Sequence, residues 1–429
     1  MKYKSTFLLT FAILSGIIIG IAILFRPDMY VLAGSCLAII SLILIFIRPY
    51  FGIIIYYATL FMLPDELAGT PVPLIICLIT TLFCLKDVIR TREYKFIFGK
   101  QSYLLSGLWL MMVVSVVFAY EKSHCWKPLL SFSKTFIFYF VTINLIRTKK
   151  DFKILLWAIA VIFGILALKC DMHCFLFGPG RVAGAGGDNN HFALALIMAL
   201  PFSIYLFLSE NLLLKKLLSG IISLCIIATV ILTFSRGGFV GLIGVLSLIF
   251  LKARNKALAL YGIAFLVLLF IVSIPSGYIE RLNTILEYQK DDSAMGRIYA
   301  WRAGGQMIWE RPLIGIGLGN FAPLAHTYDS RLDKSMEAHN SFIHLAGECG
   351  LISLLLFIML ISTSMIDSYR IRRKIDERFS KTIVPACKII EVSLGGYVLA
   401  GSFLSEANFE LVYLLFALSV ILKRLYQNT

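Results

Sequence analysis

The sequence predicts an all-α polytopic membrane protein with about twelve to fourteen transmembrane helices. Hydrophobic residues make up 59% of the chain and charged residues only 15%, whereas roughly a quarter of the residues in a soluble domain are charged. Apolar runs such as residues 7–25, 31–47 and 257–274 approach the roughly 20 residues that cross a bilayer as a helix. No period-two alternation supports a barrel, so the spans must satisfy their backbone groups as helices. A single membrane domain, residues 1–429, is therefore expected.

The positive charge of the chain is arranged as a topological signal. The formal net charge is +15, but the basic clusters occupy alternate gaps between the apolar runs, for example at residues 86–100, 147–153, 252–256 and 370–388. By the positive-inside rule these gaps and both termini are cytoplasmic, and the lysine-poor gaps lie outside. Because topology explains the excess charge, nucleic acid is not an expected partner.

The first six spans, to about residue 146, carry little polar sequence beyond topological charge, and the polar features begin in the second half. Residues 181–191, RVAGAGGDNNH, predict a glycine-rich outer loop with His191 capping the helix that follows. Residues 233–238, TFSRGG, predict a tight outer turn between two short apolar helices. One long polar break, residues 275–338, then holds five arginines and is the expected site of chemistry in water.

The long outer loop is predicted to contain a helix at the membrane interface, over residues 295–310. Arg297 and Trp301 are four residues apart on one face, with Arg302 beside them and few aliphatic side chains. Such a composition is typical of a helix at headgroup level. The three glycines at positions 315, 317 and 319 predict a flexible turn after this helix.

Arg236 is the least expected residue because it interrupts an apolar run over residues 217–251. A charge near the membrane is costly and implies a specific partner. The alternative is an ordinary turn arginine that extends to the surface. Two glycines follow Arg236 and allow close approach of a ligand. Because no acidic residue is its neighbour in sequence, an external anion such as phosphate is the predicted partner.

His339 begins the span after the long loop, where a neutral imidazole can act as general base for a hydroxyl group. The alternative is a capping or interfacial histidine, and the company of Arg297 and Arg302 argues for the catalytic role. His344 lies five residues further and so does not share a helical face with His339, unlike a zinc-binding pair. No metal site is predicted. His344 and Glu348, four apart, are expected to pair structurally.

Arginines that bind phosphate oxygens, together with a base for the acceptor, suit transfer from a polyprenyl-linked pyrophosphate. The motifs resemble those of the O-antigen ligase and polymerase superfamily over residues 181–424. They are SRGG at residues 235–238, Gly296-Arg297 with Trp301, PLIGIG at residues 312–317, and His339-Asn340-Ser341 with Gly347 and Gly350.

The resemblance implies a metal-independent, inverting glycosyltransferase without a cofactor, acting on the periplasmic face of the bacterial inner membrane. In this resemblance His339 corresponds to the essential histidine, and Arg236 and Arg297 to the pyrophosphate-binding arginines. Arg302 and Arg181 are further candidates for binding the pyrophosphate because of their positions in the outer loops.

The expected donor is an undecaprenyl-pyrophosphate-linked glycan, the expected acceptor is the lipid A core, and membrane lipids surround both. An O-antigen polymerase and a protein O-oligosaccharyltransferase of the same superfamily are the alternatives. A glycan flippase is the rival from another class. Transporters usually place charges along a path through the membrane, whereas the ionisable groups of this chain gather at one outer face.

Overall fold

A computed structural model of the chain describes residues 30–63, 70–90, 96–177, 188–253, 255–257, 260, 262, 292–332, 335–375, 381–405 and 407–427. Within these ranges the regular elements are helical, so the predicted all-α fold is confirmed. The α-helices are α1 (Tyr30–Ile47), α2 (Phe51–Met62), α3 (Val72–Arg90), α4 (Lys100–Val117), α5 (Trp126–Leu145), α6 (Lys149–Phe177), α7 (Asn189–Ser209), α8 (Leu213–Leu232), α9 (Arg236–Lys252), α10 (Asp292–Glu310), α11 (Phe321–Tyr328), α12 (Ser341–Lys374), α13 (Ile383–Gly401) and α14 (Glu410–Gln427).

Seven helices among the described residues are long and apolar enough to cross a membrane. These segments are Lys100–Val117, Lys122–Leu145, Lys149–Cys174, Asn189–Ser209, Leu213–Leu232, Ser341–Lys374 and Ile383–Gly401. The multi-pass prediction is therefore confirmed. The count of twelve to fourteen stays a prediction, because the apolar run over residues 7–25 and most of the run over 257–274 lie outside the described residues. Helix α2 has 12 residues, too few for a bilayer core of about 30 Å at about 1.5 Å per residue.

The chain divides into two compact units, the first formed by residues 1–60 and 71–95. In this unit the rings of Phe46 in α1 and Phe83 in α3 pack edge to face, with centroids 5.7 Å apart. Helices α2 and α3 approach closely at Gly52, where an added Cβ would overlap the Thr80 side chain. These contacts are apolar and small-residue packing, as expected between helices in a membrane.

The second unit comprises residues 61–70 and 96–429 and is built around α7 and α12. Helix α7 packs against α6, α8, α9 and α13, and most of its side chains are buried. It is apolar on every face, which is typical of a helix in the middle of a bundle. Helix α12 packs against α4, α10, α13 and α14. Its only non-helical residue is Gly350, with φ of 82°, which kinks the helix near its first third.

Ion pairs gather at one end of the helix bundle in the second unit. Lys153 at the start of α6 lies 2.6 Å from Glu210 at the end of α7. Glu391 of α13 is almost fully buried, accepts a hydrogen bond from Arg372 at 3.0 Å and also binds Lys252. These pairs join the basic ends of several helices, so the residues at the other helix ends, including the start of α7, form a separate polar face.

Candidate functional site

The turn that carries Arg236 is locked to the start of α7. Asn189 Nδ2 donates to the Thr233 carbonyl at 3.3 Å, and Ser235 Oγ donates to Asn190 Oδ1 at 2.7 Å. Ser235 also caps α9 by accepting the Gly238 amide at 3.0 Å. Arg236 is therefore the first residue of α9 and is half-buried. The helix dipole makes a cation unfavourable at this position, and a bound anion would offset that cost.

His339 occupies a strained position directly before α12. Its φ is +47°, in the left-handed region that costs a non-glycine residue about 1–3 kcal/mol at a functional site. The His339 amide donates to Ser405 Oγ at 2.8 Å, and Trp301 Nε1 donates to the preceding carbonyl, that of Ala338, at 2.8 Å. Asn340, not His339, caps α12 by accepting two backbone amides.

The turn after α13 brings the Arg236 side and the His339 side of the site together. A Cβ added at Gly237 would lie 3.3 Å from the Phe403 Cβ, so the start of α9 packs directly on this turn. On its other side, Ser341 Oγ donates to the Leu404 carbonyl at 2.7 Å, next to the bond between Ser405 and His339. Residues 403–405 thus hold the two predicted site elements at one end of the bundle.

The charges around His339 favour its neutral form. Burial of the imidazole lowers the pKa of His339, and the positive charge of Arg297 lowers it further. The negative charge of Asp188, at the start of α7, acts in the opposite direction on the His339 pKa. The net direction is downward, which keeps the imidazole available as a base at neutral pH.

The glycine turn after α10 is buried and docked, not the flexible turn that the sequence predicted. The Ile316 and Gly317 amides donate to the Gly347 and Glu348 carbonyls of α12, each at 3.0 Å. A Cβ at Gly315 would overlap the Glu348 backbone. The glycines therefore serve close backbone approach, with positive φ at all three turn positions.

The predicted arginines differ in their surroundings. Arg297 is half-buried in α10 and acts electrostatically on His339. Arg302, five residues further, is exposed and acts on Asp329. Arg181 lies outside the described residues. Among the described residues no group of three or more His, Cys, Asp or Glu side chains is arranged to hold a metal ion.

Two polar residues at the site were not singled out from the sequence, and one predicted cap was wrong. Asp188 caps α7 by accepting the Asn190 amide at 2.8 Å, whereas His191 lies inside the helix with its ring against Phe409. Asp188 and Ser405 each lie in a short polar gap that the sequence predicts to be outside. That predicted location is the sequence feature that could have identified them as site residues.

Helix α10 agrees with the sequence prediction, although it begins at Asp292 and not at residue 295. Its two tryptophans have different environments. Trp301 is partly buried and hydrogen-bonded to Ala338, while the Trp309 side chain is 89% exposed. Only Trp309 is therefore available to face a headgroup layer.

Comparison with known proteins finds a family match for part of the chain. No curated protein is significantly similar to the chain. Residues 221–358 match a protein-family model described as O-antigen ligase, and this segment contains Arg236, Arg297, Arg302 and His339. The family implies a glycosyltransferase-like enzyme of the ligase or polymerase type. The match agrees with the motifs found in the sequence, and residues 221–358 are therefore similar to the O-antigen ligase family.

Proposed function

We propose that the protein transfers a glycan from undecaprenyl pyrophosphate to an acceptor hydroxyl, with the lipid A core as acceptor. The acceptor oxygen attacks the anomeric carbon, the bond from that carbon to the pyrophosphate oxygen breaks, and the configuration inverts. The acceptor proton passes to His339, and the polyprenyl pyrophosphate leaves. The observation that carries the proposal is a strained, tethered histidine with a lowered pKa beside Arg297.

The roles of the side chains follow from their charge and position. His339 is the general base, since its amide is held by Ser405 and its imidazole tends to be neutral. Arg236 and Arg297 are the proposed ligands of the pyrophosphate, because guanidinium groups bind phosphate oxygens bidentately and stabilise the charge that grows on a leaving group. Arg302 and Arg181 are proposed as secondary contacts of the same donor.

The proposed setting is the inner membrane of a bacterium, with both termini cytoplasmic and residues 275–338 as the periplasmic loop. The ligase-like region, 181–424, would supply the site within one membrane domain. Support comes from the separation of the two polar ends: ion pairs of Lys153, Lys252 and Arg372 lie at one, and the His339 site lies at the other. A periplasmic site meets the donor after it has crossed the membrane.

The test is transfer by the purified full chain in vesicles that contain the undecaprenyl-pyrophosphate glycan and one acceptor at a time. The acceptors are lipid A core, a second donor molecule and a pilin-like protein. We expect product with lipid A core and a loss of about 10²- to 10⁴-fold in kcat for His339→Gln, the range typical of a lost general base. Arg297→Lys should also lose rate because it lacks the bidentate fork.

The control is His326→Gln, an exposed histidine in α11 with no proposed role in transfer, which should transfer at the wild-type rate. If product formed only with the second donor molecule, the proposed activity would be polymerisation instead of ligation. If it formed only with the protein acceptor, the proposed activity would be protein glycosylation. Normal transfer by His339→Gln would disprove the catalytic proposal. Movement of donor between leaflets without any transfer would identify the flippase instead.

A further inference from the structure

One imidazole nitrogen bridges two carboxylates close to His339. His344 Nε2 lies 3.1 Å from Glu348 Oε1 and 3.3 Å from Glu337 Oε2. A carboxylate oxygen can accept a hydrogen bond but not donate one, so the nitrogen close to both oxygens carries the proton. The pair of His344 and Glu348 expected from the sequence is thus present, but it has a third member that sequence spacing did not indicate.

Glu348, the buried member of this group of three residues, is held in place by several hydrogen bonds. Glu348 is 4% exposed, and its Oε1 also accepts the Phe321 amide at 3.1 Å. Its backbone carbonyl accepts Ser115 Oγ at 2.6 Å and the Gly317 amide at 3.0 Å. A buried carboxylate with several hydrogen-bond donors is held firmly. Glu348 therefore fixes the orientation of the His344 side chain.

Glu337, the exposed member of this group, belongs to the backbone segment that leads into His339. Glu337, Ala338 and His339 are successive residues, and each is bound by a different element. Glu337 is bound by His344 of α12, Ala338 by Trp301 of α10, and His339 by Ser405 after α13. A strained backbone such as that of His339 persists only where the surrounding contacts over-determine it.

We propose that Glu337 and His344 are positioning residues for His339: the close contact between His344 Nε2 and Glu337 Oε2 holds residues 337–339 so that the His339 imidazole faces the acceptor. This inference rests on the proposed function. It assigns no contact between Glu337 or His344 and the substrates. Their loss should therefore lower kcat and leave the donor KM nearly unchanged, whereas loss of a donor ligand would raise KM.

The experiment uses the full chain in vesicles with the undecaprenyl-pyrophosphate glycan and lipid A core. Glu337→Ala is the main variant, because its side chain is 49% exposed and we expect its loss to leave the fold intact. We expect kcat to fall about 3- to 10-fold, the value of one ordinary hydrogen bond, with the donor KM within about twofold. Glu337→Gln should restore kcat, since its amide oxygen still accepts from His344. Glu121→Ala, at another exposed carboxylate, is the matched control.

Hydrogen exchange of residues 337–340 provides a readout that needs no substrate. We expect the His339 amide to exchange faster in Glu337→Ala and at the wild-type rate in Glu337→Gln. A His344→Gln, Glu337→Ala double variant should be no slower in kcat than the slower single variant, because both changes break the same bond.

The outcomes separate this inference from the proposed function. If the wild-type protein transfers no glycan, the proposed function fails, and hydrogen exchange still decides whether the tether exists. Unchanged exchange in Glu337→Ala would overturn the tether. So would a rise in the donor KM at constant kcat, or a Glu337→Gln variant as slow as Glu337→Ala.

Discussion

His339 combines backbone strain with several tethers, a combination that sequence spacing alone does not predict. A left-handed backbone at a histidine costs about 1–3 kcal/mol. The bonds of His339 to Ser405 and of Ala338 to Trp301 help to maintain it. We infer that this backbone strain is retained because the geometry of His339 matters for the proposed transfer.

The pH dependence of transfer should follow the charges near His339. Burial and Arg297 lower the His339 pKa, so transfer should continue to a lower pH than an unperturbed histidine base allows. Replacing Arg297 with Gln removes a positive charge, which raises the His339 pKa and shifts the acid limb of kcat/KM to higher pH. The measurement is kcat/KM from about pH 5 to pH 9, the range in which histidine titrates.

The opposite shift is expected for Asp188→Asn. Its negative charge raises the His339 pKa, so its removal should move the acid limb to lower pH. The asparagine oxygen can still cap α7, so the fold is preserved and the variant is a matched partner to Arg297→Gln. Acid limbs that move in the same direction in both variants, or that do not move, would contradict the role of His339 as the titrating base.

At the level of the elements, the glycine turn and the kink of α12 form one interlocked unit. Gly350 has φ of 82°, and an added Cβ would overlap the Leu313 carbonyl oxygen. Leu351 donates its amide to the Pro312 carbonyl at 2.7 Å across the same contact. The kink frees backbone groups of α12, and the turn from α10 satisfies them, which fixes α10 and its Arg297 relative to His339.

Gly350→Ala should therefore destabilise the protein strongly. A left-handed alanine costs about 1–2 kcal/mol by itself, and separation of the turn from α12 adds to that, so we expect a loss above about 2 kcal/mol in unfolding. Thermal unfolding in detergent provides the measurement. Gly305→Ala is the control, because an added Cβ meets nothing within 4 Å and alanine favours an exposed helix. Equal unfolding temperatures for the two variants would refute the interlock.

At the level of the whole molecule, the sequence predicted what depends on composition and local spacing. Apolar runs gave the helical class, the interrupted run located the Arg236 turn, and an i, i+4 spacing gave the pair of His344 and Glu348. The sequence did not predict the contacts between segments that are distant along the chain. Neither the docking of residues 315–319 on α12 nor the bond between His339 and Ser405 has a local signal, because each joins segments distant in sequence.

The sidedness of the molecule is the remaining large-scale prediction. Basic helix ends gather on one face, which the positive-inside rule assigns to the cytoplasm, so α11 should be outside and the start of α8 inside. In sealed bacterial spheroplasts, a membrane-impermeant maleimide should label His326→Cys, an exposed position. It should label Leu214→Cys, 74% exposed beside Lys215, only after lysis. Wild-type protein provides the background of native cysteines. Reversed labelling would put the His339 site in the cytoplasm, where the proposed donor would have to be used before it crosses the membrane.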